Sequence, residues 1–369
     1  MSLIKCEKER LITAGFLAAA LLFSLSCGKE GGPEPQPGSG RGSVALFITD
    51  NISFYNQVVS TITGVRLVNS GTGGICTVLE IPVTFDISNL TNMAQFTNVA
   101  QCPKGNYNRI DVSFRGAVHL MDQDGGTSAC AYTSYTNEND EQLPLSCNTA
   151  TGICSLSIQG GARGGPFLVQ EDLYNDLGID FDLKKFTVTD FGNPDCVVNM
   201  KVFSVSAADM NSSGRSHGVT GSMQVLDAAN KVMTLLAGGV TLTVDYSGIN
   251  PALQPNLDTL LQKARTDGLA VNVLTGGIDL KTKTIAASRI YVKAAGSVSG
   301  VVGNPQWTFD LAYGPAGAIA GSHKPPADVQ GAFLNGAWVN VKFDGYDDKT
   351  EKFLAVSIEV LPAGTVLDD

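Results

Sequence analysis

Charge is scarce in this chain. Only 16% of its 369 residues are Asp, Glu, Lys or Arg, where soluble domains carry roughly 25%. The 25 basic residues are outnumbered by 35 acidic ones and form no cluster. That excludes a basic groove tracking a phosphate backbone, and no nucleic-acid partner is expected. Histidine is scarcer still, at His119, His217 and His323. No C-x-x-C pair and no C-x-x-C-H occurs, which argues against a zinc ribbon and a covalent c-type haem. No P-loop and no Rossmann-type glycine pattern in strand–helix context is present, so no cofactor is expected. The N-terminal apolar run, Leu11–Phe23, has thirteen residues, short of the ~20 a membrane-spanning helix needs. What is plentiful is glycine, 41 residues, alongside Val, Thr and Ser, a composition of short strands and tight turns. The 43% hydrophobic content supports real cores and excludes global disorder. The length suggests two or three domains at roughly 150 residues each.

The first 26 residues read as an address. Lys5, Lys8 and Arg10 form a charged start, Leu11–Phe23 an apolar middle, and Ser24-Leu25-Ser26-Cys27 a small-residue close. This resembles a bacterial lipoprotein signal peptide. The resemblance implies cleavage before Cys27 and a diacylglyceryl group on its sulfur. It departs from the usual pattern in having Ser24 where leucine is customary. Residues 28–42 (GKEGGPEPQPGSGRG) read as a flexible tether. Gly28 follows the cysteine in place of the aspartate linked to inner-membrane retention, so the expected address is the outer membrane, on either face.

Six further cysteines, Cys76, Cys102, Cys130, Cys147, Cys154 and Cys196, lie within residues 76–196. An even number in an exported chain reads as up to three disulfides, with fifteen connectivities open. Chain proximity favours Cys76 with Cys102, Cys130 with Cys147, and Cys154 with Cys196.

Residues 43–206 are a series of strand-like segments separated by Gly, Asn and Asp turns. SVALFIT, VVSTITGVRLVN, TVLEIPVTFDI and NYNRIDVSF are among them. NYNRIDVSF alternates at period 2, and the whole set predicts an antiparallel β-sandwich. Between Met121 and Thr151 the chain turns polar and acidic, which predicts a long surface excursion pinned by its cysteines. Ordered long loops tend to carry function. The segments VALFITDN, VVSTITGVRLVN, FDISNLTN, PKGNYNRIDVSF, IDFDLKKFTV and VNMKVFSVS resemble "domain of unknown function 4382", a family found in exported lipoproteins, over about 42–206. The resemblance implies an envelope β-domain and supplies no catalytic residues.

Residues 207–217 read as a polar linker. Beyond them lies an internal repeat. Gly268–Val292 and Gly336–Val360 align without gaps at an offset of 68, with eleven of twenty-five positions identical. Each copy is a strand, a D-x-K-T turn and another strand. Gly218-Val-Thr-Gly221 and Ser297-Val-Ser-Gly300 begin the two copies. Two related β units follow, 218–293 and 296–362. The layout resembles the small barrel-like "domain of unknown function 5666", and an oligonucleotide-binding-like barrel is expected for each. Within the first, Leu257, Leu260, Leu261 and Ala264 follow helical spacing. They predict a short amphipathic helix plugging the barrel end.

Chemical motifs are weak. Gly214-Arg215-Ser216-His217-Gly218 matches G-x-S-x-G, but a nucleophile elbow needs a strand before it and a helix after it. Here a polar segment precedes and a strand follows. His119 is placed on a strand and His323 on a loop. The acidic groups Asp122/Asp124 and Asp344/Asp347/Asp348 match no calcium loop and read as turn chemistry. Tyr132 and Tyr135, in the acidic excursion, are candidate ligand contacts because tyrosines can stack on sugars. Trp307 is placed on a strand, and Trp338 beside a repeat valine, packed in the barrel. The chain is therefore expected to be an all-β, disulfide-stabilised, lipid-anchored envelope protein. It would act as a non-catalytic binding or scaffold module for envelope proteins or polysaccharide, with residues 121–151 as the contact surface. A carbohydrate-binding lipoprotein is the alternative, and a serine hydrolase using Ser216 a remote one.

Overall fold

The computed structural model describes residues 40–368, apart from 51–53, 162–164, 213, 303–306, 314–316 and 324–333. The expected signal peptide, Cys27 and nearly all of the tether lie outside the described residues. The fold is all-β, with two short α-helices.

The first sixteen strands are β1 (Arg41–Asp50), β2 (Gln57–Asn69), β3 (Gly74–Leu79), β4 (Val83–Asp86), β5 (Met93–Pro103), β6 (Gly105–Tyr107), β7 (Arg109–Arg115), β8 (Ala117–Met121), β9 (Thr127–Thr136), β10 (Gln142–Pro144), β11 (Ser146–Asn148), β12 (Ile153–Gln159), β13 (Phe167–Val169), β14 (Tyr174–Phe181), β15 (Thr187–Thr189) and β16 (Val197–Val205). They build a two-layered β domain whose pairing is mixed, since β1–β14 and β9–β16 run parallel where antiparallel strands were expected. One layer places β1 between β5, antiparallel, and β14, parallel. The other is built on β2, which pairs with β7, β8, β3 and β4. β16 joins the layers, pairing with β9 over its first half and with β14 over its second. Val44, Leu46, Ile48, Ile62, Val65, Phe85, Ile110, Phe114 and Ile179 fill the space between.

Residues 207–217 are not a linker. They hold the helix α1 (Ala207–Ser212) and the first two residues of β17 (Ser216–Asp227). Ser216–Val219 pair in parallel with Met93–Phe96 of β5, so the sandwich layer runs directly into the repeats. The junction is tightly packed around two glycines. At Gly218 a Cβ would lie 2.2 Å from Gln95 Oε1, and at Gly178 it would lie 2.4 Å from Val205 Cγ2 and 2.7 Å from Met210 Sδ of α1.

Each repeat closes into a five-stranded ring. The first contains β17, β18 (Val232–Ala237), β19 (Val240–Asp245), β20 (Ala270–Thr275) and the start of β21 (Thr284–Val302). Its pairings are β17–β18, β18–β19, β19–β21 in parallel, β21–β20 and β20–β17. The second uses the far half of β21, then β22 (Trp307–Tyr313), β23 (Gly317–His323), β24 (Trp338–Asp347) and β25 (Lys352–Val360). It closes in the same order, with β23–β25 as its parallel pair. The closed order is that of a small five-stranded barrel. The helix α2 (Leu257–Thr266) buries Leu257, Leu260, Leu261 and Ala264, as its spacing predicts. The duplicated turns are alike in detail. Asp279 Oδ1 accepts from the Lys281 and Thr282 amides, and Asp347 accepts from the Lys349 amide and the Thr350 hydroxyl. Four residues after each aspartate, Lys283 and Glu351 take positive φ, 56° and 54°.

The cysteines pair as Cys76–Cys102, Cys130–Cys196 and Cys147–Cys154. The first matches the expectation from chain proximity; the other two correct it. Cys147 faces Cys154 in register across the β11–β12 hairpin. Cys196 reaches Cys130 because β16 runs parallel to β9, which brings together residues 66 apart in sequence. Chain-entropy scaling then predicts unequal effects. Replacing Cys130 and Cys196 together by serine is expected to cost about 4 kcal/mol, and replacing Cys147 and Cys154 about 2 kcal/mol. Guanidinium unfolding of the two double variants checks the order.

Candidate functional site: a cleft where the sandwich meets the first barrel

The sequence-predicted contacts are packed into the sandwich core. Tyr132 and Tyr135 are 3% and 5% exposed. Tyr132 packs edge-on against Phe114 at 5.0 Å, and the Tyr135 hydroxyl donates to the Ser157 carbonyl at 2.8 Å. Burial raises both phenols above their ordinary range. The reason is that much of the supposed excursion is strand. β9 pairs with β8 on one side and β16 on the other, and Ser128, Cys130 and Tyr132 point inward by period-2 alternation. Only the turn around 122–126 and the arm over 139–152 project.

The other candidates resolve into local structure. Asp122 Oδ1 caps its own turn, accepting from the Asp124 and Gly126 amides. Asp344 pairs with Arg289 at 2.8 Å. Ser216 begins a strand, with its amide donating to the Asn92 carbonyl, so the elbow geometry is absent there. His119 lies on β8, and burial lowers its pKa. His323 falls in β23 and not in a loop, and Trp307 starts β22. Trp338 packs outside the barrel, against the small cluster Val59, Leu361 and Leu367, and its indole donates to the Thr365 carbonyl.

His217 has a different setting. β17 carries it into the angle between the sandwich and the first barrel, where it is 4% exposed. Its ring stands edge-on to Phe47 of β1, 5.7 Å between centroids. Nδ1 has no hydrogen-bond partner. Burial lowers the imidazole's pKa, opposed by a hydrogen bond with the Gly276 backbone. Phe47 and His217 line a cleft of about 430 Å³ together with Asp176, Asn211, Gly277, Ile278, Asp279, Thr284 and Ala286.

β14 supplies the acid. Asp176, Gly178 and Asp180 alternate on one face of YNDLGIDF, while Leu177, Ile179 and Phe181 enter the sandwich core. The face opposite the core meets α1 and β17. Burial raises the Asp176 carboxyl above the usual carboxylate range. Asp180 is pushed up to about 6 by burial, against the pull of Arg215, whose guanidinium lies 3.2 Å away. No lysine or arginine lines the cleft among the described residues. Sequence reading dismissed His217 with its motif and passed over Asp176. The available signal was the D-x-G-x-D alternation on a strand whose other face carries Leu177, Ile179 and Phe181 into the core.

A second cleft, about 620 Å³, opens between β2, β4, β8 and residues 362–368. Arg115 and His119 are on its wall. The 362–368 segment is clipped to the sandwich by Asp368, whose amide donates to the Thr84 carbonyl and whose carboxylate accepts from the Thr84 amide.

The raised Asp180 carboxyl makes stability pH-dependent. The folded state prefers the neutral acid, so its penalty is present at neutral pH and relaxes as pH falls through 6. Relative to Asp180→Asn, the wild-type chain is expected to gain about 1 kcal/mol on going from pH 7.5 to pH 5. The histidines titrate in both proteins and cancel. Denaturant unfolding at the two pH values checks it; an unchanged difference between the proteins would show that Asp180 does not titrate in this range.

No curated protein matches the chain, and residues 41–201, the sandwich, match the family model described as a domain of unknown function, DUF4382.

Proposed function

We propose that this protein is an exported, lipid-anchored component of the bacterial cell envelope that works as a non-catalytic binding module. The observation that carries the reading is the cysteine chemistry. All six cysteines between 76 and 196 are paired in three disulfides, and structural disulfides belong to oxidising compartments. The charged, apolar and small-residue sequence before Cys27 supports the same address. A lipid on Cys27 would hold the folded unit through the Gly/Pro/Glu-rich residues 28–40. The arm over 139–152 offers it a contact surface for envelope partners. Apart from Leu143 and Leu145 its residues are exposed.

Metabolic labelling with an alkynyl fatty acid tests the anchor. The wild-type chain is expected to take the label and sediment with membranes, and Cys27→Ser to do neither. A Cys27→Ser chain that keeps label and sedimentation refutes the anchor. Free reactivity of the six cysteines toward maleimide in protein taken from cells refutes the compartment. A photo-cross-linker at Glu141 is expected to capture an envelope component; its absence across growth conditions removes the arm as contact surface.

A further inference from the structure

The junction cleft holds an imbalance of hydrogen-bonding groups. A buried polar atom without a partner costs free energy comparable to a lost hydrogen bond. One acceptor is in that position. His217 Nδ1 is partnerless in a ring 4% exposed, and beside it the half-buried Asp176 carboxylate makes no hydrogen bond or ion pair among the described residues. Asp279 adds a second negative charge at the rim, its oxygens engaged by its own turn. The walls beside them, Phe47 and Ile278, are apolar. A site with an unmet acceptor, net negative charge and an aromatic wall selects a cation that donates N–H bonds. A metal ion needs more ligands than these, and no three His, Cys, Asp or Glu converge on a metal position among the described residues.

We propose that the cleft binds a small primary organic ammonium ion. Its charge is countered by Asp176, one N–H is donated to His217 Nδ1, and its carbon chain lies against Phe47 and Ile278. This deepens the binding reading above and rests on it. The framework is preorganised for the purpose. β1, β14 and β17 are packed strands, and Gly178 and Gly218 fix how closely α1 and the first barrel approach them. The same groups explain selectivity. A quaternary ammonium has no N–H for Nδ1, and a carboxylate would meet two negative charges.

The test uses the full chain in detergent with n-butylammonium as probe. Long-range 1H–15N correlation of the histidine rings reads Nδ1 of His217 directly, without substitution. Titration with n-butylammonium is expected to move that resonance saturably, while tetramethylammonium and butyrate leave it in place. Calorimetry should find binding at least tenfold weaker in Asp176→Asn, with its melting transition intact. An unmoved Nδ1 resonance overturns the inference. So does equal affinity for tetramethylammonium, or equal binding by a folded Asp176→Asn. A response to Zn²⁺ or Ca²⁺ without one to n-butylammonium overturns it in favour of a metal. These outcomes are separable from the broader reading. If the cleft fails while Cys27-dependent anchoring and Glu141 cross-links persist, only the ligand class falls.

Discussion

The architecture depends on two strands that are buried on both faces. Along β1, Val44, Leu46 and Ile48 enter the sandwich core, while Ala45 and Phe47 enter the core of the barrels. β5 does likewise, sending Ala94, Phe96 and Val99 to the barrel side. These strands are a shared wall between two hydrophobic interiors. Fully burying a side chain such as Phe47 stabilises by roughly 1.5–3 kcal/mol, and here each such contribution ties sandwich to barrel. The wall is locked from the barrel side by β17, and again where the Val99 amide donates to the Gly238 carbonyl at 3.0 Å. A shared wall also explains why the segment between the regions is structured. There is no solvent gap for a linker to cross.

Much of this was legible, for definable reasons. The α2 stripe and the duplicated turns were readable because their physics is local: helical spacing in one case, an aspartate capping its own turn in the other. The two-sided burial of β1 was present in the unbroken apolar run SVALFIT, since strands covered on both faces lose their alternation. Its meaning was hidden because a run of that kind does not say what covers it. The disulfides show the limit. Cys147–Cys154 and Cys130–Cys196 depend on which strands lie side by side, and a parallel pair such as β9–β16 leaves no mark on local periodicity. Tyr132 and Tyr135 were misread for a related reason. Polar composition around them suggested a loop, whereas the alternation in TSACAYTSY was a strand's.

The candidate site lies where these two levels meet. Asp176, Asp180, Arg215 and His217 are unremarkable one at a time in sequence. They come together because β14 and the start of β17, with Arg215 just before it, present polar positions to the same seam. Burying ionisable groups at a seam is costly unless they are paired. Arg215 and Asp180 satisfy that condition, and burial disfavours a charge on the imidazole. Asp176 is only half-buried and faces the cleft, which is why the cleft, and not the ion pair beside it, is the place to look for a ligand. Clusters of perturbed groups in a cleft are where binding chemistry is usually found.

The nineteen-residue strand β21 serves both barrels, as the last strand of one and the first of the next. Duplication here has therefore overlapped two units instead of stringing them on a spacer, and a second copy required four new strands where a free-standing barrel requires five. Growth by this rule is open-ended in principle, because any closing strand that continued straight could found another ring. β25 does not continue. It stops at Val360, and the chain turns through Pro362 and lies back on the sandwich, where Asp368 meets Thr84. Neither barrel can therefore be excised as a module without dismantling its neighbour.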